Sequence, residues 1–227
     1  MKTYFDPNMF SWRARWPGDL RGHPWLHADG NPNDKYYDFK TNPELVSEVL
    51  DDWKPWARYG AVQRFYALLR WLNGQSSPFE SNDSRFYPPR VNTQKDQWPK
   101  HQECSGILMF FFRDIRLNIS NEGERWLKPD PNLPYLPPSN ETDWLIDATQ
   151  SYLKRAKPEL EWGCVVSSVM PTRYWKLPGE HKDQLGYEVM FQFWAFGDDE
   201  QETMNNLEAV IDAIHDSLKN VSEEINV

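Results

Sequence analysis

Apolar positions along the chain repeat with helical spacing in four segments and with strand spacing in three. The clearest helical repeat is in the last segment, after Gly197, where the apolar positions step by three and four: Met204, Leu207, Ile211, Ile214 and Leu218. The clearest strand is Leu185–Phe196, in which apolar and polar residues alternate. These periods predict a chain that mixes helices and strands.

Two helices are predicted in residues 41–74. Asn42 suits an N-cap and Pro43 suits the first helical turn, and Pro55 ends that helix. The second helix runs from Trp56 to Asn73, followed by a glycine that can cap it. Residues 1–40 show no sustained period and are rich in Trp, Pro and Gly, so they are predicted to form an irregular aromatic arm. Residues 75–103 are polar and predicted to be a long loop.

From residue 104 onward the predicted order is β-α-β-β-α. The strands are Gly106–Ile119, Glu161–Met170 and Leu185–Phe196, and the helices begin near Asn140 and Asp199. A right-handed crossover makes the first two strands parallel, and the third is antiparallel to them. This predicts an α+β fold with a small mixed sheet, ferredoxin-like but one strand short, with the N-terminal helix pair packed on it. The whole chain, 1–227, is predicted to be one domain with its core in residues 104–220.

Composition limits the environment of the protein. The aromatic fraction is 15%, with 12 Trp, which is enough to build a core without metal or disulfides. The longest apolar run, Ile107–Phe112, is far too short to span a bilayer, and no secretory h-region is evident. Two cysteines are too few for a disulfide framework. We therefore expect a cytoplasmic protein with no membrane partner and no cofactor.

The net charge of -9 is concentrated in the last helix. Residues 198–227 contain nine carboxylates and a single lysine. Glu208, Asp212 and Asp216 follow each other at helical spacing, and like charges at that spacing repel. This acidic strip either faces solvent or meets a basic partner. His215, which has polar neighbours in the sequence, is expected on the solvent side.

Arginine alternates with tryptophan in the N-terminal arm, at Trp12, Arg13, Arg15 and Trp16. Such a pattern is typical of cation–π packing within one protein, of protein interfaces, and of sites for single-stranded nucleic acid. The net charge of the arm is near zero, which disfavours nucleic acid. Self-packing and a protein interface both stay open.

Two sets of residues could carry chemistry. Glu80 and Asp83 lie three residues apart and could hold a divalent ion or act as acid and base, although the same residue types also build turns. Zinc could in principle be bound by three histidines and a thiol: His23, His27, His101 and Cys104. Their spacing matches no established zinc pattern, so no metal site is predicted.

These observations favour a binding protein over an enzyme. The leading hypothesis is an intracellular inhibitor- or immunity-type protein that occupies a protein partner and catalyses nothing. The first alternative is a metal-dependent enzyme acting on nucleic acid or a phosphorylated substrate, with Glu80 and Asp83 at its site. The second alternative is a structural component of a phage particle or another assembly.

Overall fold

The computed structural model describes residues 1–5, 21–23, 55–81, 84–118, 140–156, 160–174 and 184–225. Seven strands and three α-helices lie within these ranges. In chain order they are β1 (Lys2–Phe5), β2 (Arg21–His23), α1 (Gly60–Asn73), β3 (Phe79–Ser81), β4 (Arg85–Val91), β5 (Gln102–Phe112), α2 (Asn140–Ala156), β6 (Gly163–Tyr174), β7 (Gln184–Gly197) and α3 (Glu200–Ile225). A short 3-10 turn, Ile115–Leu117, follows β5. The protein therefore belongs to the α+β class.

All seven strands join one mixed sheet whose centre is β7. β7 pairs antiparallel with β5 on one side and with β6 on the other, so β5 and β6 run parallel to each other. β3 and β4 pair antiparallel with β5. β1 and β2 pair parallel with β6, one after the other along its length. The sheet order is β1-β6-β7-β5-β3, with β2 beside β6 and β4 beside β5.

One face of this sheet is covered by helices. α3 packs on β7, and α1 and α2 pack on α3. The largest hydrophobic cluster fills the space between them and includes alternate residues of the central strands, such as Val189, Phe191 and Phe193. Because side chains alternate along a strand, the residues between these point to the opposite face of the sheet. That second face carries the site described below.

The start of α3 is held by its own side chains. Asp199 accepts a hydrogen bond from the backbone N–H of Glu202 (2.8 Å), and Glu202 accepts one from the N–H of Asp198 (2.6 Å). This exchange satisfies donors that a helix start leaves open. All five residues of the predicted apolar seam of this helix, Met204, Leu207, Ile211, Ile214 and Leu218, are buried. The apolar seam was predicted from the sequence.

Several expectations need correction. Residues 1–40 are not irregular throughout, because 2–5 and 21–23 are strands. Residues 75–103 are not a single loop, because they contain β3 and β4. The strand expected over Gly106–Ile119 begins at Gln102 and ends at Phe112. It ends because the buried Asn118 side chain bonds both the N–H and the C=O of Phe112, at 2.9 and 2.6 Å.

The β-α-β-β-α order is present as β5, α2, β6, β7 and α3. The further strands β1–β4 add pairings that the ferredoxin-like comparison did not include, so that comparison stays a prediction. Of the expected N-terminal helix pair, the second member is α1, which packs on α3 and β3. The first member, expected over residues 43–54, lies outside the described residues.

His215 was expected on the solvent side, but it is half-buried between α3 and α1. Its ring is 5.3 Å from the ring of Trp71, and its Nε2 is buried with no hydrogen-bond partner. Burial lowers the pKa of His215 to about 4, and the charge of Lys219 acts in the same direction. Arg64 of α1 lowers this pKa further and Asp216 raises it. The neutral imidazole is therefore the form that fits this interface.

We predict that this histidine makes stability depend on pH. An unfolded histidine titrates near pH 6.5, whereas folded His215 titrates near 4. Its contribution is therefore fully present above pH 6.5 and is lost as the pH falls towards 4. Because solvent partly screens the ring, the expected loss in the free energy of unfolding is about 1–2 kcal/mol. Urea unfolding at pH 7 and pH 4.5 should show a larger loss for the wild type than for His215→Phe; equal losses would contradict the assignment.

Candidate functional site

The second face of the sheet carries a groove lined mainly by aromatic and amide side chains. It lies across β1, β6 and β7, where three residues stand side by side in the strand register: Lys2, Cys164 and Trp194. The cavity has a volume of about 520 Å³. Its described lining residues are Lys2, Tyr4, Gln94, Gln97, Trp98, Cys164, Val166, Trp194 and Phe196. Among the described residues, the hydrophobic clusters on this face contain none from a helix.

One wall of the groove is a stacked pair of rings. The Trp98 ring lies parallel to the Phe196 ring, with 4.5 Å between centroids and 9° between planes. Both side chains are buried, and they form a small hydrophobic cluster with Cys164. The ammonium group of Lys2 lies 4.1 Å from the centroid of Trp98, close enough for a cation–π interaction. The groove thus combines a fixed aromatic wall with one positive charge.

Trp98 comes from the loop between β4 and β5, and Asn92 holds that loop in shape. The buried Asn92 side chain donates to the carbonyls of Trp98 (2.8 Å) and Lys100 (2.9 Å) and accepts from the N–H of Gln94 (2.7 Å). Its backbone N–H also bonds the carbonyl of His101. One side chain therefore connects the two ends of the loop. The result is a groove wall that is already ordered before any ligand arrives.

A cluster of charges ties the same loop to the start of α3. Lys100 Nζ bonds Asp198 at 2.7 Å and Glu202 at 2.8 Å, and it lies 4.8 Å from the centroid of the Trp162 ring. The hydrogen bonds that Lys100 donates to these two carboxylates raise its pKa. The hydrogen bond from Lys100 likewise lowers the pKa of Asp198. The charge of Lys100 is thereby balanced by carboxylates of the same chain.

The polar groups inside the groove are suited to binding. The side-chain amides of Gln94 and Gln97 have no hydrogen-bond partner among the described residues, so each can donate to or accept from a ligand. Among the described residues, no carboxylate pairs with Lys2. Cys164 is the one thiol in the lining, and burial raises its pKa to about 11. At neutral pH it is therefore a thiol and a poor nucleophile.

A buried carboxylate lies next to the groove wall. Glu103 stands beside Phe196 in the register of β5 and β7, and its side chain is only 1% exposed. One oxygen bonds Arg90 at 2.9 Å, while Oε2 is buried with no hydrogen-bond partner. Arg90 itself is exposed, but removing it would be costly, because the buried carboxylate of Glu103 would lose its compensating charge. We read Glu103 and Arg90 as a link between β4 and β5.

Of the residues considered for catalysis and metal binding, Glu80, His23, His101 and Cys104 lie in the described ranges. Glu80 is buried in β3, opposite Phe111 of β5, and Asp83 lies outside the described residues. Cys104 is buried in the main core, where its pKa is strongly raised, whereas His101 is exposed and lies 3.2 Å from Asp198. The backbone of His23 is in β2, and His27 lies outside the described residues. Within the described ranges, no three His, Cys, Asp or Glu side chains converge as a metal site.

The acidic strip of α3 faces a basic residue of the chain itself. Arg64 of α1 lies 3.5 Å from Glu208 and 3.4 Å from Asp212. These pairs offset the repulsion that the spacing implies, while Asp216 is exposed. The strip thus has a local explanation that needs no partner. The arm residues Trp12, Arg13, Arg15 and Trp16 lie outside the described residues.

Sequence reasoning missed the groove because its parts are far apart in the chain. Trp98 lies in a stretch expected to be loop, and it meets Phe196 only through the pairing of β5 with β7. One signal was present: the residues of β7 that point away from the main core include Trp194 and Phe196 as well as polar ones. A solvated strand face would have been uniformly polar.

No protein-family model matches the chain, and comparison with curated proteins and solved structures gives no significant match. In the described part of the chain, none of the helices combines the length and apolar character that a bilayer crossing requires.

Proposed function

We propose that this protein acts by binding a protein partner, without catalysis of its own, as inhibitor- and immunity-type proteins do. Its binding surface is the groove formed by β1, β6, β7 and the loop between β4 and β5. The observation that carries the proposal is the aromatic rim: Tyr4 is 50% exposed beside the half-buried Trp194 and the fixed Trp98. Aromatic side chains in such positions dominate the energy of protein interfaces.

The chemistry of the lining also supports binding over catalysis. Rings, amides and one ammonium group can stack, donate and attract, and the buried thiol of Cys164 has little thiolate at neutral pH. An open groove with an apolar rim is a shape that a segment of another protein can enter.

Affinity capture with paired variants tests this proposal. The wild-type protein should retain a stoichiometric partner from an extract of the cells that produce it. The double variant Tyr4→Ala, Trp194→Ala should retain at least tenfold less, because it removes two aromatic anchors. The control Trp144→Ala removes an exposed tryptophan from α2 and should capture as much as the wild type. Equal capture by all three proteins, or none by the wild type, would refute the proposal, provided that circular dichroism shows each variant folded.

A further inference from the structure

We infer that the groove receives an extended, acidic segment of the partner protein, with a side-chain carboxylate placed at Lys2. This inference rests on the proposed function and specifies the chemistry of what is bound. Lys2 is the only charged side chain among the described lining residues, and no described carboxylate pairs with it.

The local charge contrasts with the rest of the molecule. The chain as a whole carries a net charge of -9, and nearby Lys100 is bonded to two carboxylates of its own chain. Lys2 instead lies over the Trp98 ring, where a carboxylate from outside can reach its ammonium group. A basic segment would meet only this positive charge in the described lining, so charge complementarity selects an acidic one.

The dimensions of the groove favour an extended chain. It crosses β1, β6 and β7, which is two strand spacings, or about 10 Å. An extended segment advances about 3.3 Å per residue, so three to four residues cover the groove. The amides of Gln94 and Gln97 can then bond the backbone of the segment, and Trp194 offers a ring for a proline or an apolar side chain to pack against.

Synthetic peptides test the inference directly. The probes are two fluorescent eight-residue peptides of the same proline-containing sequence, one with three aspartates and the other with three lysines at the same positions. Both are acetylated and amidated, so that no terminal carboxylate competes. Fluorescence anisotropy at low salt should show at least tenfold tighter binding of the acidic peptide, and Lys2→Glu should reverse the preference. Lys95→Glu, an exposed lysine outside the described lining, is the matched control and should change affinity by less than threefold.

Each outcome has a defined meaning. Equal affinity for both peptides, preference for the basic one, or an unchanged preference in Lys2→Glu would overturn the inference. If a neutral peptide bound only when its C-terminal carboxylate was left free, the groove would be recognising a chain terminus. That result would also overturn the inference. The proposed function can survive these results, because groove-dependent capture of a partner by the wild type would persist. If the wild-type protein showed neither partner capture nor peptide binding, both the proposed function and this inference would be wrong.

Discussion

Replacing Asn92 with alanine is expected to lower the free energy of unfolding by about 3 kcal/mol and to abolish partner binding. The change removes three hydrogen bonds of a buried side chain, to Gln94, Trp98 and Lys100. Each contributes about 1 kcal/mol, and the backbone groups left behind lose their partners. The loop would then no longer hold Trp98 against Phe196, so the groove wall would open. Urea unfolding and partner capture measure the two effects.

Thr93→Ala is the matched control for this prediction. Thr93 is the neighbouring residue, is exposed, and makes none of the bonds that hold the loop. Its replacement should change stability by less than about 0.5 kcal/mol and leave capture intact. If Asn92→Ala unfolded at the same urea concentration as Thr93→Ala, the assigned role of Asn92 would be wrong.

Gly106→Ala is expected to destabilise the protein by about 3 kcal/mol, because the main core has no room for a methyl group there. Gly106 of β5 stands opposite Phe193 of β7, and the buried Phe193 ring lies over it. A Cβ at position 106 would lie 2.6 Å from Cε2 of that ring, closer still to Cζ, and 3.0 Å from the carbonyl oxygen of Arg85. Phe193 also packs on Phe65 of α1, with 5.8 Å between centroids. Overpacking a closed core of this kind costs about 1–3 kcal/mol or more.

The same substitution at Gly60 separates this effect from a general cost of replacing glycine. A Cβ at Gly60 would meet only the far end of the Glu208 side chain, which is half-exposed and can turn away. Alanine also favours a helix more than glycine does. Gly60→Ala should therefore shift the thermal midpoint by only a degree or two. A comparable loss of stability in both variants would contradict the packing argument.

The sequence was sufficient to predict a helix or strand where the pattern of apolar residues lies within that element. Leu207 and Ile211 lie on a stripe that only a helix can bury, and the alternation around Phe191 fits only a strand. β1 and β3 were missed for the opposite reason. They have four and three residues, and they are strands because they pair with β6 and β5, which are distant in sequence. Local propensity contains no information about such a partner.

The candidate site depended even more on distant contacts. The sequence around Trp98 is typical of a loop, and Asn92 together with the pairing of β5 with β7 brings Trp98 to Phe196. His215 shows the same limit: its neighbours in the sequence are polar, but its contact in space is Trp71 of another helix. The residue types were visible in the sequence, whereas their convergence was not.

Under the proposed function, the groove is the surface that meets the partner. A photo-reactive amino acid at position 97, on the rim, tests it most directly, with the same amino acid at the exposed position 219 of α3 as the control. Irradiation in an extract of the source cells should give one crosslinked partner protein from position 97 and none from position 219. Crosslinking of that partner from position 219 but not from position 97 would contradict the account.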